Sequence, residues 1–171
     1  MATPWREHSK LRSRFHPQNP DDLQVLVHDG GPRTAATAPE LMWVRVAGMS
    51  DDAFVGTLLN APKQLTSVAM GAEIMFVVPT QFEYPLRVTA QYLAERTKWH
   101  IHACSGCGLD ELFDAPSLLI AKVFPNTPDE LEMFSALCGA CGGAQVVQKI
   151  AAEPRAENAG APSWWRRWFG R

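Results

Sequence analysis

An α+β fold is predicted: a small antiparallel β-sheet or barrel, then a lobe organised by four cysteines and carrying one short helix. Three observations carry this prediction. Short runs of strand-forming residues recur between about 23 and 90 with turn residues between them. Two C-x-x-C pairs, Cys104/Cys107 and Cys138/Cys141, stand 30 residues apart. A strong helix start lies between the pairs. The chain has 171 residues, 46% hydrophobic and 20% charged, which suffices for a sizeable core and excludes a fibre or a wholly disordered chain.

In chain order, residues 1–22 read as a basic flexible arm. Residues 23–98 read as the β module. Its first strand is the apolar island Leu23 to Val27, followed by a loop, His28 to Pro39, rich in Gly, Pro, Thr and Ala. Leu41 to Val46 and Ala53 to Asn60 flank the turn residues Ser50-Asp51-Asp52 and read as a hairpin. Gly71-Ala72 opens a third strand, Glu73 to Val78, which Pro79 stops; Leu86 to Val88 is a further extended piece. Gln91 to Lys98 is predicted to be a short helix.

Residues 99–150 read as the cysteine lobe. Trp99 to Ala103 is predicted as a strand leading into the first pair, and the apolar run Ser117 to Phe124 as another. Thr127-Pro128-Asp129-Glu130 predicts a helix with Thr127 as N-cap, carrying Leu131, Phe134 and Leu137 to the core. Val146-Val147 continues as a strand. Residues 151–171 read as a flexible linker of Ala, Glu, Pro, Gly, Asn and Arg ending in an aromatic and arginine tail.

The informative residues are Cys104-Ser105-Gly106-Cys107-Gly108 and Cys138-Gly139-Ala140-Cys141-Gly142-Gly143. Two residues between cysteines let both thiolates reach one metal from a tight turn. The small residues let the backbone fold beneath the sulfurs and aim N–H groups at them. Two such turns make a tetrahedral set of four thiolates, which suits a structural Zn²⁺. A closed set has no open position for water, so it stabilises and does not catalyse. Four free thiols, or a thioredoxin-like redox pair, are the competing readings; the latter wants one pair in a βαβ frame. His100 and His102, two apart on a predicted strand, are read as exposed or core-edge residues. Support or replacement of a metal ligand by either is left open. A His102–Cys104 nucleophile pair would need a thiol that the metal already uses.

Residues 99–150 resemble the zinc-ribbon or zinc-knuckle class through these two cysteine turns. The β module carries a second resemblance. Met42-Trp43-Val44-Arg45-Val46, Gly56-Thr57-Leu58-Leu59-Asn60-Ala61-Pro62 and Gly71-Ala72-Glu73-Ile74-Met75-Phe76 resemble, over residues 40–80, a family of small bacterial β-domains of unknown function. Some of that family are associated with toxin-immunity loci. The resemblance implies a non-enzymatic binding module and supplies no catalytic residue. Trp43, Phe54, Phe76 and Phe82 are read as packing residues, and Asn60 and Pro62 as turn residues.

The net charge of −2 is unevenly spread: +3 over residues 1–16, −3 over 17–100, −4 over 101–150 and +2 over 151–171. An acidic body between basic ends excludes a strongly cationic nucleic-acid binder at the level of the whole chain. No apolar run reaches the length of a membrane span, and Met1 to Phe15 does not read as a secretory signal. Paired close cysteines without such a signal fit a reducing, cytoplasmic setting. No paired carboxylates, Ser–His–Asp order or phosphate-cradling glycine loop is present, so no catalytic residue is assigned. Asp110, Glu111 and Asp114 read as a solvated face or helix start.

Trp164, Trp165, Arg166, Arg167, Trp168 and Phe169 are the candidate partner contacts, since so much apolar area on a tail needs a docking place. Its own body, a partner's groove and an anionic membrane surface are the three targets. The function expected is a non-catalytic, zinc-stabilised module that docks on a protein partner, in the manner of a bacterial immunity-type inhibitor. An acidic surface suits a basic target. The alternative is a nucleic-acid-associated zinc-ribbon protein that uses the basic and aromatic tails.

Overall fold

The computed structural model describes residues 3–33, 37–51, 53–127 and 131–151. These contain β1 (Asp22–Val27), β2 (Glu40–Ser50), β3 (Ala53–Leu58), β4 (Glu73–Val77), β5 (Leu86–Val88), α1 (Ala90–Arg96), β6 (Trp99–Ile101), α2 (Pro116–Val123), β7 (Met133–Leu137) and β8 (Ala144–Lys149). The molecule is mostly β. Strands β1 to β5 close a barrel in sequence order, antiparallel except where β5 returns to β1 in parallel at Leu26 and Leu86. A second, three-stranded antiparallel sheet has the order β6-β8-β7.

Two cores explain the sequence of β1. Leu23, Val25 and Val27 point into the barrel with Met42, Val44, Phe54, Leu58, Ile74 and Phe76. Leu26 joins Val77, Leu86 and Val88 on the outside, where they pack against Tyr92, Leu109, Leu112, Phe113, Phe134 and Val147. The inward positions Leu23, Val25 and Val27 are all apolar, whereas the outward ones are polar at Asp22 and Gln24 and apolar only at Leu26, where the second core covers the strand. The second core is where the cysteine lobe sits on the barrel.

The Asn60 side chain accepts the Trp43 N–H at 2.8 Å and closes the β2–β3 pair. The Glu40 carboxylate accepts the N–H groups of Lys63 and Gln64, and Asp29 accepts those of Thr66 and Ser67. Two acids thus satisfy a loop that has no ladder of its own. The polar composition of the N-terminal arm hides its packing. Residues 3–20 run through turns, and Leu11 is fully enclosed in the barrel core. Arg6 pairs with both oxygens of Asp21 at 2.6 Å, and Arg14 donates to the Glu83 carbonyl.

Two elements differ from the sequence prediction. The run Ser117 to Phe124 is helix α2, not a strand. A short apolar run has no decisive period. Here Pro116 occupies the first turn, and the Glu95 carboxylate accepts the Ser117 N–H at 2.9 Å. The helix predicted from Thr127 is also corrected. Pro125 to Thr127 form a turn, residues 128–130 lie outside the described residues, and 133–137 are strand β7. Met-Phe-Ser-Ala-Leu alternates and pairs with β8 along its length, so Phe134 is buried while Leu137 is exposed. Pairing with a partner strand outweighs a local N-cap signal.

Candidate metal centre

Each cysteine turn follows a strand: the first leaves the β6 side of the sheet, and the second links β7 to β8. The turns are built alike. In the first, the Gly108 N–H donates to the Cys104 carbonyl at 2.9 Å and the Cys104 N–H to the Leu109 carbonyl at 2.8 Å. In the second, Gly142 donates to Cys138 at 2.8 Å and Cys138 to Gly143 at 2.7 Å. Gly108 and Gly142 both take positive φ, +78° and +81°, which closes each turn where a side chain would strain it. The Gly106 N–H points at the Cys104 sulfur and the Gly143 N–H at the Cys141 sulfur, both at 3.3 Å.

The four sulfurs converge. Cys104 and Cys141 Sγ are 3.5 Å apart, Cys107 and Cys138 Sγ 3.6 Å, and all four lie within 4.8 Å of one another. Four thiolates about 2.3 Å from one tetrahedral ion sit roughly 3.8 Å apart. The set therefore could hold one metal ion. The shortest sulfur contacts run between the two turns, as sharing an ion demands.

The thiols of the set differ in how readily they ionise. Burial raises the thiol of Cys104, but N–H donors from Cys107 and Gly106 prevail and bring it down to about 7. Burial, with the neighbouring thiols, pushes Cys107 up to about 12. Cys138 is raised, first by burial. Thiolates this close disfavour one another's ionisation, and a bound cation would remove that penalty.

The supports around the set were less visible in the sequence. Arg33 donates to the Gly139 carbonyl at 2.8 Å inside the second turn. The Phe113 ring lies against Gly139, where a β-carbon would meet it at 2.3 Å. His28 stacks on the other side of Phe113, with ring centres 3.9 Å apart. Gly30 donates to His28 Nδ1 at 3.0 Å, so Nε2 carries the proton and donates to the Arg87 carbonyl at 2.8 Å. Gln145 is buried at the start of β8 and donates to the Leu109 carbonyl at 2.7 Å, tying the second turn to the exit of the first. No spacing rule singles out these residues, because their partners come from distant parts of the chain.

The acidic cluster is not a solvated face. Glu111 and Asp114 are buried. Glu111 accepts from Arg96 at 2.7 Å and from the Tyr92 hydroxyl, and burial pushes its carboxyl upward. Asp114 accepts from the Gly31 and Ala115 N–H groups and from Lys122. Asp110 accepts from the Thr80 N–H at 3.1 Å. Among the described residues no buried side-chain polar atom lacks a partner.

His100 and His102 are exposed with ring centres 4.4 Å apart, and neither joins the clustered ligand atoms. Trp164, Trp165, Arg166, Arg167, Trp168 and Phe169 lie outside the described residues. Among the described residues no helix is long and apolar enough to cross a membrane. Comparison with protein-family models, with curated proteins and with solved structures finds no match to this chain.

Proposed function

We propose that the chain is a non-catalytic binding module in which a structural zinc ion fixes the lobe and the acidic body docks on a basic protein partner, sterically, as an immunity-type inhibitor does. The single observation that carries this reading is the closure of four sulfurs on one point. Soft thiolates in tetrahedral array favour zinc over hard cations. Four protein ligands leave no position for a reacting water. The ion then contributes to folding, not to turnover.

Charge supports a protein partner over nucleic acid. Residues 17–100 and 101–150 carry −3 and −4. Two of the four cations in residues 1–16 already serve the protein itself, Arg6 on Asp21 and Arg14 on the Glu83 carbonyl. Phosphate binding needs free clustered cations.

A fluorescence titration of the full chain tests the choice. Labelled single-stranded oligonucleotide and a labelled basic protein such as a cationic ribonuclease serve as probes at low and physiological salt. Binding of the basic protein with no binding of the oligonucleotide is expected. Tight, steeply salt-dependent binding of the oligonucleotide contradicts the reading and favours the tail-based nucleic-acid alternative.

A further inference from the structure

Strand β7 is one of the two edge strands of its sheet and pairs, among the described residues, only with β8. Along that edge runs an apolar cavity of about 210 Å³. Leu119 and Phe134 form its inner wall and Gln145 lies at its base, with Gly139 of the second cysteine turn alongside. Its lips are Val123 and Leu137, which are 44% and 62% exposed. Arg33 stands at the mouth, held in place by its bond to the Gly139 carbonyl. An apolar cavity with exposed apolar lips beside an unpaired strand edge is a place where a peptide segment binds.

We infer that the occupant is the chain's own segment 164–169, with one indole of Trp164, Trp165 or Trp168 filling the cavity. Size fits: a dry cavity of about 150 Å³ takes a benzene ring, and this one has room for a larger aromatic. Reach fits. From Gln145 to residue 151 the strand direction covers about 20 Å. The twelve residues 152–163, of Ala, Glu, Pro, Gly, Asn, Arg and Ser, have an expected end-to-end distance of about 20 Å as an open linker. Effective concentration is greatest when linker and span match. Among the described residues, the one charged side chain that lines the cavity is Arg33. The fixed guanidinium of Arg33 can lie against the docked indole face. This inference does not rest on the choice of partner proposed above. It means that the aromatic segment is held in cis and that a partner reaching either surface must displace it.

The test uses the full, metal-loaded chain labelled with 5-fluorotryptophan, with signals assigned through Trp164→Phe, Trp165→Phe and Trp168→Phe. At least one of these three fluorine signals is expected away from the free-tryptophan position. It should return there in Leu137→Glu and Val123→Glu, exposed substitutions that should leave the melting temperature nearly unchanged. Amide exchange of β7 should quicken by about tenfold or more in the same variants. All three signals at the free position in the parent chain, unmoved by either substitution, overturn the inference. A displacement that grows with protein concentration also overturns it, since it assigns the contact to a second copy. A lip variant that melts early is replaced by a competition with free peptide 160–171, which must shift the same signals if docking occurs.

Discussion

At Gly143 the backbone passes directly beneath the sulfur set. A β-carbon there would stand 2.8 Å from Cys104 Sγ, closer than real contacts allow, and a tight 3.3 Å from Cys141 Sγ. Gly143→Ala should therefore splay the two sulfurs while leaving all four thiols in the chain. Metal affinity should fall by about 10-fold to 100-fold, the range seen when groups that orient ligands are lost. Competition with a chromophoric chelator measures this. An unchanged affinity would mean that the sulfurs do not share one ion. The glycines around the cysteines were legible from the sequence as small residues in tight turns. Their proximity to the sulfurs of the opposite turn was not, because it depends on two turns 30 residues apart meeting in space.

The elements meet at a seam where the segment after β1 faces the segment before α2 and the second cysteine turn. His28, Gly31 and Arg33 on one side face Phe113, Asp114 and Gly139 on the other. Burial pushes the His28 imidazole down to about 4 from its ordinary 6.5, despite its bond to the Arg87 carbonyl. The sign follows from proton uptake. Between pH 6.5 and 4 the unfolded chain binds a proton at this position and the folded chain resists it, so stability is full above 6.5 and is lost as pH falls towards 4. The loss from this residue amounts to about 3 kcal/mol at pH 4. Urea unfolding of the parent chain and of His28→Phe at pH 7.5, 5.5 and 4.5 isolates it. The parent should weaken more steeply than the variant across that window. Parallel pH profiles would show that His28 is not buried in its neutral form. The seam also explains where sequence reading failed among the elements. Residues 28–39 carry the composition of a loop, and nothing in that composition shows that His28 and Arg33 brace the cysteine lobe. Helix α2 was misread because Leu118, Leu119 and Ile120 fit either period. Strand β7 was misread because its register is decided by β8.

Across the whole molecule, the strands were legible wherever turn residues bounded them. The hairpin of β2 and β3, strand β4 and the short β5 stand where spacing put them, and the barrel follows from β5 returning to β1. The lobe's attachment was not legible, since it uses the outward faces of β1, β4 and β5, whose residues look like any other core run. That shared core links the cysteine set to the barrel: Cys104 and Cys138 belong to the same cluster as Leu26, Val77 and Leu86. Loss of the ion should therefore be felt beyond the two turns. The measurement that bears most directly on this account is the metal content per chain of the natively purified protein, by mass spectrometry under non-denaturing conditions, with Cys104→Ser in parallel. The account expects one zinc per chain, with its loss and a lowered melting temperature in the variant. A metal-free chain with four titratable thiols and an unchanged fold would contradict it.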